Sequence, residues 1–183
     1  MTKDKELQRR FEKCVDQCAD SMFRVAFRLT GNRTLASELV QETYLNAWKC
    51  ISGLKDPEKM RGWLFAILRN QYSKLIRKES RSTPTTEYLD SVAAKQAPVD
   101  QTKELVQSAI AELEEIHKLP LLLVSMEGMS VDQTAEVLGV PRGTVLSRLH
   151  RARQKLKQIL IRDQQSSGQQ FVYEARKEGH DEV

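Results

Sequence analysis

The residues with the clearest chemistry lie between positions 141 and 162. This segment carries seven Lys or Arg side chains and no Asp or Glu. The preceding residues, 103–140, carry two basic and seven acidic side chains, so the charge changes sign abruptly along the chain. Such a switch concentrates positive potential on one element, which is typical of a nucleic-acid-binding surface. Because ordinary solvated helix faces include acids that pair with bases at i,i+4, the acid-free segment favours contact with DNA.

The side-chain types in this segment also suit DNA. Arg can pair bidentately with guanine edges, while Ser, Thr and Lys bind phosphates. The N-terminus of a helix adds free N–H groups for a phosphate. The residues predicted to face DNA are Arg142, Thr144, Ser147, Arg148, His150, Arg151, Arg153 and Lys155.

The three cysteines, Cys14, Cys18 and Cys50, cannot all pair with one another and suit a reducing compartment. Cys14 and Cys18 are four residues apart and could share a metal, but no second pair of ligands follows at a useful distance. Free Cys behaves as a small hydrophobe. We therefore interpret the pair as buried thiols, and we predict no metal site and no cofactor.

Catalysis on nucleic acid would need clustered carboxylates, a Cys/His metal set or a phosphate-binding loop. The densest acidic group, Glu112, Glu114 and Glu115, is typical of a solvated helix face. The sequence has no Gly-rich phosphate loop. We therefore predict that the protein is not an enzyme.

Local signals around the basic segment predict a helix-turn-helix. Ser130 followed by Gln133 is a capping box that opens a helix. Gly139 supplies a turn in which positive φ is often required, and Pro141 suits the start of the next helix. Along that helix, apolar residues at alternating steps of four and three face the core, namely Val145, Leu149, Ala152, Leu156 and Ile159.

The whole chain is predicted to be all-α, with two small helical domains joined by a flexible linker. It has 183 residues but 8 Gly and 5 Pro, too few turn residues for an all-β fold. Residues 1–79 read as three helices: Leu7 to Leu29, about 34–51 with Trp48 inward, and a third to about 78, with a break near Gly62 left open. Residues 80–102 are rich in Ser, Thr, Pro, Ala and Gln and form the linker.

The second predicted domain spans residues 103–163, and a C-terminal tail follows at 164–183. We expect a helix to about Lys118, an apolar stretch over 119–126, and helices at 131–138 and 142–160. In the tail, residues 171–173 could seed a docking helix, although disorder is favoured. Because the chain has no long apolar run and its first residues are charged, we predict no membrane insertion and a cytoplasmic location.

Residues 129–153 (MSVDQTAEVLGVPRGTVLSRLHRAR) resemble region 4 of the extracytoplasmic-function (ECF) group of the sigma-70 family of RNA polymerase sigma factors. In that family this helix reads the −35 promoter element in the major groove. The resemblance makes Ser147, His150, Arg151 and Arg153 the leading candidates for contact with bases or phosphates. Leu146 stands where the family often has a basic residue, a departure that bears on base preference.

Residues 39–48 (LVQETYLNAW) resemble the region 2 helix that grips the clamp coiled coil of the polymerase. The resemblance implies that Glu38, Gln41, Glu42 and Asn46 bind core RNA polymerase. Leu35 departs from the family pattern, which frequently has an acid there.

Residues 61–70 (RGWLFAILRN) resemble the segment that recognises and melts the −10 element. A melted strand needs basic groups and aromatic faces for flipped bases. The residues expected at the −10 element are Arg61, Arg69, Asn70, Tyr72, Lys74, Arg77 and Lys78, with Tyr72 stacking on a base. Trp63 is expected in the core.

The resemblance implies a sigma factor that directs core RNA polymerase to specific promoters and assists DNA melting. The implied partners are core polymerase, promoter DNA and an anti-sigma factor. In the free protein the linker would let the domains close, and burial of both DNA-facing surfaces would inhibit promoter binding. The alternative is a stand-alone helix-turn-helix regulator, which should bind its operator alone and often as a symmetric dimer.

Overall fold

The computed structural model describes residues 3–79 and 101–167, and the regular structure in these ranges is helical, as predicted. Single 3₁₀ turns at Ile51–Gly53 and Pro57–Lys59 precede the third helix. The helices are α1 (Lys3–Thr30), α2 (Arg33–Cys50), α3 (Met60–Glu79), α4 (Gln101–Ala111), α5 (Glu115–Ser125), α6 (Val131–Leu138) and α7 (Arg142–Ser167). The predicted linker up to residue 100 and the candidate docking helix at 171–173 lie outside the described residues.

Helices α1 to α3 enclose the first part of the core. The apolar stripe predicted along α1 is buried, with Met22 and Val25 fully inaccessible. Gly31 ends α1 with φ +66°, and the Asn32 side chain caps α2 by accepting hydrogen bonds from the next turn. Full burial of each large apolar side chain contributes roughly 1.5–3 kcal/mol to stability.

The third helix is continuous, so the break left open near Gly62 is absent from α3. The irregular segment lies earlier, over residues 51–59, where Asp56 accepts a hydrogen bond from the Glu58 amide and Pro57 begins a single turn. Gly62 instead marks a close approach between helices, because a Cβ built there would lie 3.7 Å from Cγ2 of Val137 in α6.

The predicted single helix up to Lys118 is wrong, because the chain turns after Ala111 and restarts at Glu115. The predicted apolar stretch 119–126 belongs to α5, which contains Pro120 in its interior. The turn residues Glu112, Leu113 and Glu114 include neither Gly nor Pro. The turn is therefore set by packing, with Leu113 buried in a small core beside Ala152 and Ile159 of α7.

The two halves of the chain pack against each other. Helix α1 contacts α4 and α5, and α3 contacts α6. The main hydrophobic core is continuous across this boundary, so Leu122, Leu123 and Val137 share one cluster with Met22 and Phe65. We call this packing the closed arrangement. None of the helices in the described ranges combines the length and the apolar composition that a membrane span requires.

Candidate DNA and polymerase interfaces

The helix-turn-helix predicted from the sequence is present in α6 and α7. The Gln133 amide donates to Ser130 Oγ at 3.1 Å, and the Ser130 amide donates to Gln133 Oε1 at 2.9 Å. This reciprocal pair completes the capping box. Gly139 follows with φ +63° and its amide closes α6, after which the Pro141 carbonyl accepts the first hydrogen bonds of α7. The capping box, the left-handed glycine and the hydrogen bonds to Pro141 together set the direction in which α7 leaves the turn.

Helix α7 presents two faces of different chemistry. Val145, Leu149, Ala152 and Ile159 are buried, as predicted, and Leu156 is half-buried. On the opposite side Thr144 and Arg148 are half-buried, whereas six predicted DNA-facing residues are exposed: Arg142, Ser147, His150, Arg151, Arg153 and Lys155. All eight candidates therefore lie outside the buried stripe of α7, on the part of the helix that we call the α7 face.

Two contacts order the start of the α7 face. Ser147 Oγ donates to the Thr144 carbonyl at 2.9 Å, and Arg142 Nε lies 3.3 Å from the Asp132 carboxylate. Leu146 is 42% exposed between them, so the face also offers an apolar patch that could meet a thymine methyl.

The candidate polymerase-binding residues share the exposed side of α2. Glu38, Gln41 and Glu42 are exposed, while Asn46 is half-buried and donates to the Glu42 carbonyl at 2.7 Å. We call this side the α2 face. Neither acid has an ion-pair partner among the described residues, so the surface is free to meet basic groups.

Trp48 lies at the edge of the α2 face, and its predicted inward position is wrong. The side chain is 45% exposed and packs its ring 5.5 Å from that of Phe11. Leu45 is 54% exposed one turn away. The exposed apolar side chains beside Glu38, Gln41 and Glu42 give the α2 face the mixed character of a protein-binding surface.

The −10 candidates on α3 fall into two groups. Asn70, Lys74, Arg77 and Lys78 are exposed. Arg61 and Arg69 are half-buried because the other half of the chain covers them. Nη2 of Arg61 donates to Glu127 Oε2 at 2.6 Å and to the Glu127 carbonyl at 3.0 Å, and Nη1 of Arg69 donates to the Val137 carbonyl at 2.8 Å.

Tyr72 departs from its predicted role as a base-stacking residue. Its side chain is buried, with 6% exposed, and its hydroxyl lies 3.1 Å from the Leu29 carbonyl and within hydrogen-bond reach of the Glu115 carboxylate. The ring is therefore part of the core in the closed arrangement. Trp63, expected in the core, is half-buried against it.

Several residues at the boundary between the two halves were not predicted from the sequence. Lys59 Nζ lies 3.1 Å from Glu136 Oε1, and Arg28 donates to Gln107 Oε1 at 2.9 Å. Burial at this boundary lowers the pKa of Arg28. Glu127, whose side chain is 1% exposed, follows an apolar helix directly, and that position is the signal that could have identified it.

The closed arrangement covers part of one DNA-facing surface and does not bury both. Arg61 and Arg69 are engaged by α6 and by the loop at Glu127, whereas the α7 face points away and stays exposed. The expectation that closure buries both surfaces is therefore wrong. The two covered arginines belong to the set predicted to meet the −10 strand, whereas Asn70, Lys74, Arg77 and Lys78 of that set stay exposed.

Thiol and carboxylate groups in the described part of the chain are too dispersed for a typical metal centre. Cys14 and Cys18 are in contact, but no three His, Cys, Asp or Glu side chains among the described residues lie close enough to hold an ion.

Comparison with known proteins assigns a family to both halves. Residues 14–82 match Sigma-70 region 2, and residues 103–156 match Sigma-70, region 4. The chain is 30% identical over 176 residues to the ECF RNA polymerase sigma factor SigE of Mycolicibacterium smegmatis, covering 92% of this chain and 68% of SigE. It is 33% identical over 147 residues to the ECF RNA polymerase sigma factor EcfG of Rhodopseudomonas palustris, and the match covers 78% of this chain and 81% of EcfG.

A solved structure is similar over most of the fold. The sigma factor RpoE of Bartonella quintana, crystallised in complex with the anti-sigma factor NepR, aligns with a TM-score of 0.69 and 27% identity over 84% of this chain and 98% of RpoE. The two family matches occur in the same order as the two predicted domains. The chain belongs to the ECF RNA polymerase sigma factors, which give RNA polymerase its specificity for promoters.

Proposed function

We propose that the α7 face binds the duplex −35 element in the major groove. The observation that carries this assignment is the exposed, acid-free basic face of α7, which begins directly after a capped helix and a left-handed glycine turn. Arg151 and Arg153 suit guanine edges, and Lys155 suits a phosphate further along the groove. Ser147 and His150 complete the surface near the start of the helix.

The α2 face is the proposed site for core RNA polymerase. Its acids Glu38 and Glu42 give it a negative surface inside a half that is basic overall, since residues 1–79 carry 16 Lys or Arg and 10 Asp or Glu. Exposed Leu45 and Trp48 supply apolar area next to these charges. Because the closed arrangement leaves this face uncovered, the free protein can meet polymerase without first opening.

The exposed polar and basic side chains of α3 are the proposed surface for the melted −10 strand. Asn70, Lys74, Arg77 and Lys78 are on the surface in the closed arrangement. Arg61 and Arg69 join them when α6 moves away, because their guanidinium groups are bonded to Glu127 and Val137 until then. Opening of the two halves is therefore required for full −10 binding.

An anti-sigma protein is the proposed regulator of this chain. RpoE of Bartonella quintana was crystallised with such a protein and shares the fold. We infer further that the protein acts in the cytoplasm. We also infer that it makes or breaks no covalent bond in DNA, because RNA polymerase performs the chemistry of transcription.

Mixing the full-length protein with core polymerase that lacks any sigma factor tests this function directly. We expect co-elution, followed by transcripts with discrete new start sites from a genomic library. The result against the proposal is no binding to core polymerase together with tight, sequence-specific DNA binding by the protein alone, which would identify a stand-alone regulator.

A further inference from the structure

Helix α1 carries two thiols one turn apart that the proposed function does not use. Cys14 Sγ and Cys18 Sγ are 3.8 Å apart. Cys18 is buried, with 4% of its surface exposed, and Cys14 is half-buried. Both side chains lie on the side of α1 that faces Arg61 at the start of α3, so the thiol pair adjoins the contact between the two halves of the chain.

The two thiols are chemically unequal. The hydrogen bond between the two sulfurs lowers the pKa of Cys18 to about 7, and the positive charge of Arg61 also lowers it, whereas burial raises it. The same hydrogen bond, together with burial, raises the pKa of Cys14. Cys18 is therefore the thiol of the pair that ionises more readily, and the thiolate is the reactive form of cysteine.

A groove between α1 and the start of α3 is lined by Cys14, which contacts the buried Cys18. Its charged lining has four basic side chains, Arg9, Arg10, Lys13 and Arg61, and two acids, Glu6 and Glu58, which both pair with Arg10, so the groove carries a net positive charge. Such surroundings stabilise a thiolate and oppose the binding of a free cation. A small neutral oxidant can enter the groove without an electrostatic penalty.

We propose that Cys14 and Cys18 form a dithiol site that a hydroperoxide oxidises to a disulfide within α1. In the first step the Cys18 thiolate attacks one peroxide oxygen. The S–O bond forms as the O–O bond breaks, and the departing hydroxide takes up a proton to become water. Cys18 is then a sulfenic acid, and the peroxide has accepted two electrons.

In the second step the Cys14 sulfur attacks the Cys18 sulfur. The S–S bond forms, the S–O bond breaks, and the oxygen leaves as water with the proton of the Cys14 thiol. Each cycle therefore consumes one hydroperoxide and two thiols, and it yields one disulfide and two molecules of water or, for an organic hydroperoxide, one water and one alcohol.

The bond cannot form without a local change in α1. Residues four apart on a helix have Cβ atoms about 5–6 Å apart, whereas a disulfide needs about 3.5–4.5 Å. The turn between Cys14 and Cys18 must tighten or unwind, which makes the bond readily reducible. Oxidation also removes the thiolate beside Arg61, the residue that holds Glu127 across the boundary.

The test uses the full-length chain with Cys50→Ser, which leaves Cys14 and Cys18 as its thiols. On treatment with hydrogen peroxide, we expect the intact mass to fall by two hydrogen atoms and to recover with dithiothreitol. An unchanged mass, at a peroxide dose that oxidises the same chain unfolded in denaturant, would overturn the proposal. This measurement needs neither polymerase nor promoter, so its outcome is separate from that of the proposed function.

Two further measurements in the Cys50→Ser chain assign the roles. With Cys14→Ala, dimedone should trap a sulfenic acid at Cys18. With both thiols present, so that the hydrogen bond between them is kept, brief labelling with iodoacetamide and peptide mass analysis should modify Cys18 faster than Cys14. Equal labelling of the two residues would contradict the unequal roles. If Cys14→Ala unfolds by circular dichroism, the intact-mass result on the Cys50→Ser chain still decides the proposal.

Discussion

Arg61 of α3 and Glu127, in the loop after α5, form a 2.6 Å ion pair across the boundary between the two halves of the chain. The two partners differ in environment, since the Arg61 side chain is 43% exposed and that of Glu127 is 1% exposed. A buried carboxylate has lost its hydration and depends on its ion-pair partner for stabilisation. The closed arrangement therefore uses an arginine that is also predicted to meet the −10 strand.

Glu127→Gln should loosen the closed arrangement. The amide keeps the shape of the side chain but loses the charge that Arg61 binds, a loss of roughly 1.5–3 kcal/mol for a charged hydrogen bond. We expect faster hydrogen exchange in residues 122–130 of the full-length protein. The matched control is Glu136→Gln, which breaks the exposed pair with Lys59 and should change closure by less than about 1 kcal/mol. Equal effects of the two variants would contradict a special role for Glu127.

Arg151→Ala should weaken binding of the reconstituted holoenzyme to the −35 element. If Arg151 makes a bidentate base contact, the loss is about 1–3 kcal/mol and preference at one base pair relaxes. Affinity for promoter variants at fixed salt measures both effects. Lys157→Ala removes an exposed basic residue of α7 outside the assigned set and serves as the control. An equal, sequence-independent loss in the two variants would indicate phosphate contacts alone.

Glu42→Ala should weaken binding to core polymerase by about 1 kcal/mol or more if the residue is central to that interface. DNA contacts of the α7 face should be unaffected, because Glu42 lies on another element of the first half. Titration of labelled protein with core polymerase measures the binding affinity. Glu12→Ala, an exposed acid on α1, is the control. Loss of folding or of −35 contacts in Glu42→Ala would refute this division of labour.

Gly139→Ala should destabilise the helix-turn-helix by about 1–2 kcal/mol, since an L side chain is strained at φ +63°. The added Cβ would also lie 3.4 Å from Nη1 of Arg69. Thermal unfolding should show a lower Tm. Gly143→Ala is the control: its φ is not positive, nothing lies within 4 Å of the added Cβ, and alanine favours a helix interior. A Tm that falls as far in the control would rule out backbone strain as the cause.

The alkylation rate of Cys18 should rise with pH through about 7, because its pKa is lowered to that value and the thiolate reacts. In the Cys50→Ser chain, Cys14→Ala should move this midpoint upward, since the hydrogen bond from Cys14 is the largest cause of the lowered pKa. Iodoacetamide labelling followed by peptide mass analysis measures the midpoint. A midpoint that stays at about 7 without Cys14 would assign the effect to Arg61 instead.

The helix-turn-helix could be predicted from the sequence because its signals are local. Ser130, Gln133, Gly139 and Pro141 lie within twelve consecutive residues. Ser130 and Gln133 act through side-chain hydrogen bonds to nearby amides, and Gly139 and Pro141 act through their own backbone conformation. The same holds for the buried face of α7, whose spacing follows the helical repeat. Position on that repeat then determines which side chains of α7 are exposed.

The contacts between the halves could not be predicted in this way. Arg61 and Glu127 are 66 residues apart, and no periodic pattern links them. Tyr72 looked available for stacking because a helical repeat does not reveal which element covers it. Trp48 has an inward spacing, but it lies at the edge where α2 leaves the core and meets Phe11 instead.

Glu127 engages Arg61 and α6 engages Arg69, so the availability of these two arginines to the −10 strand depends on the fraction of molecules that are open. The apparent dissociation constant for the −10 strand equals the intrinsic constant divided by the fraction of molecules that are open. If closure is favoured by about 2.8 kcal/mol, roughly one molecule in a hundred is open, and strand capture weakens about a hundredfold. A polymerase that holds the halves apart removes this factor, so the free protein in the cell would compete poorly for melted DNA that the holoenzyme binds well.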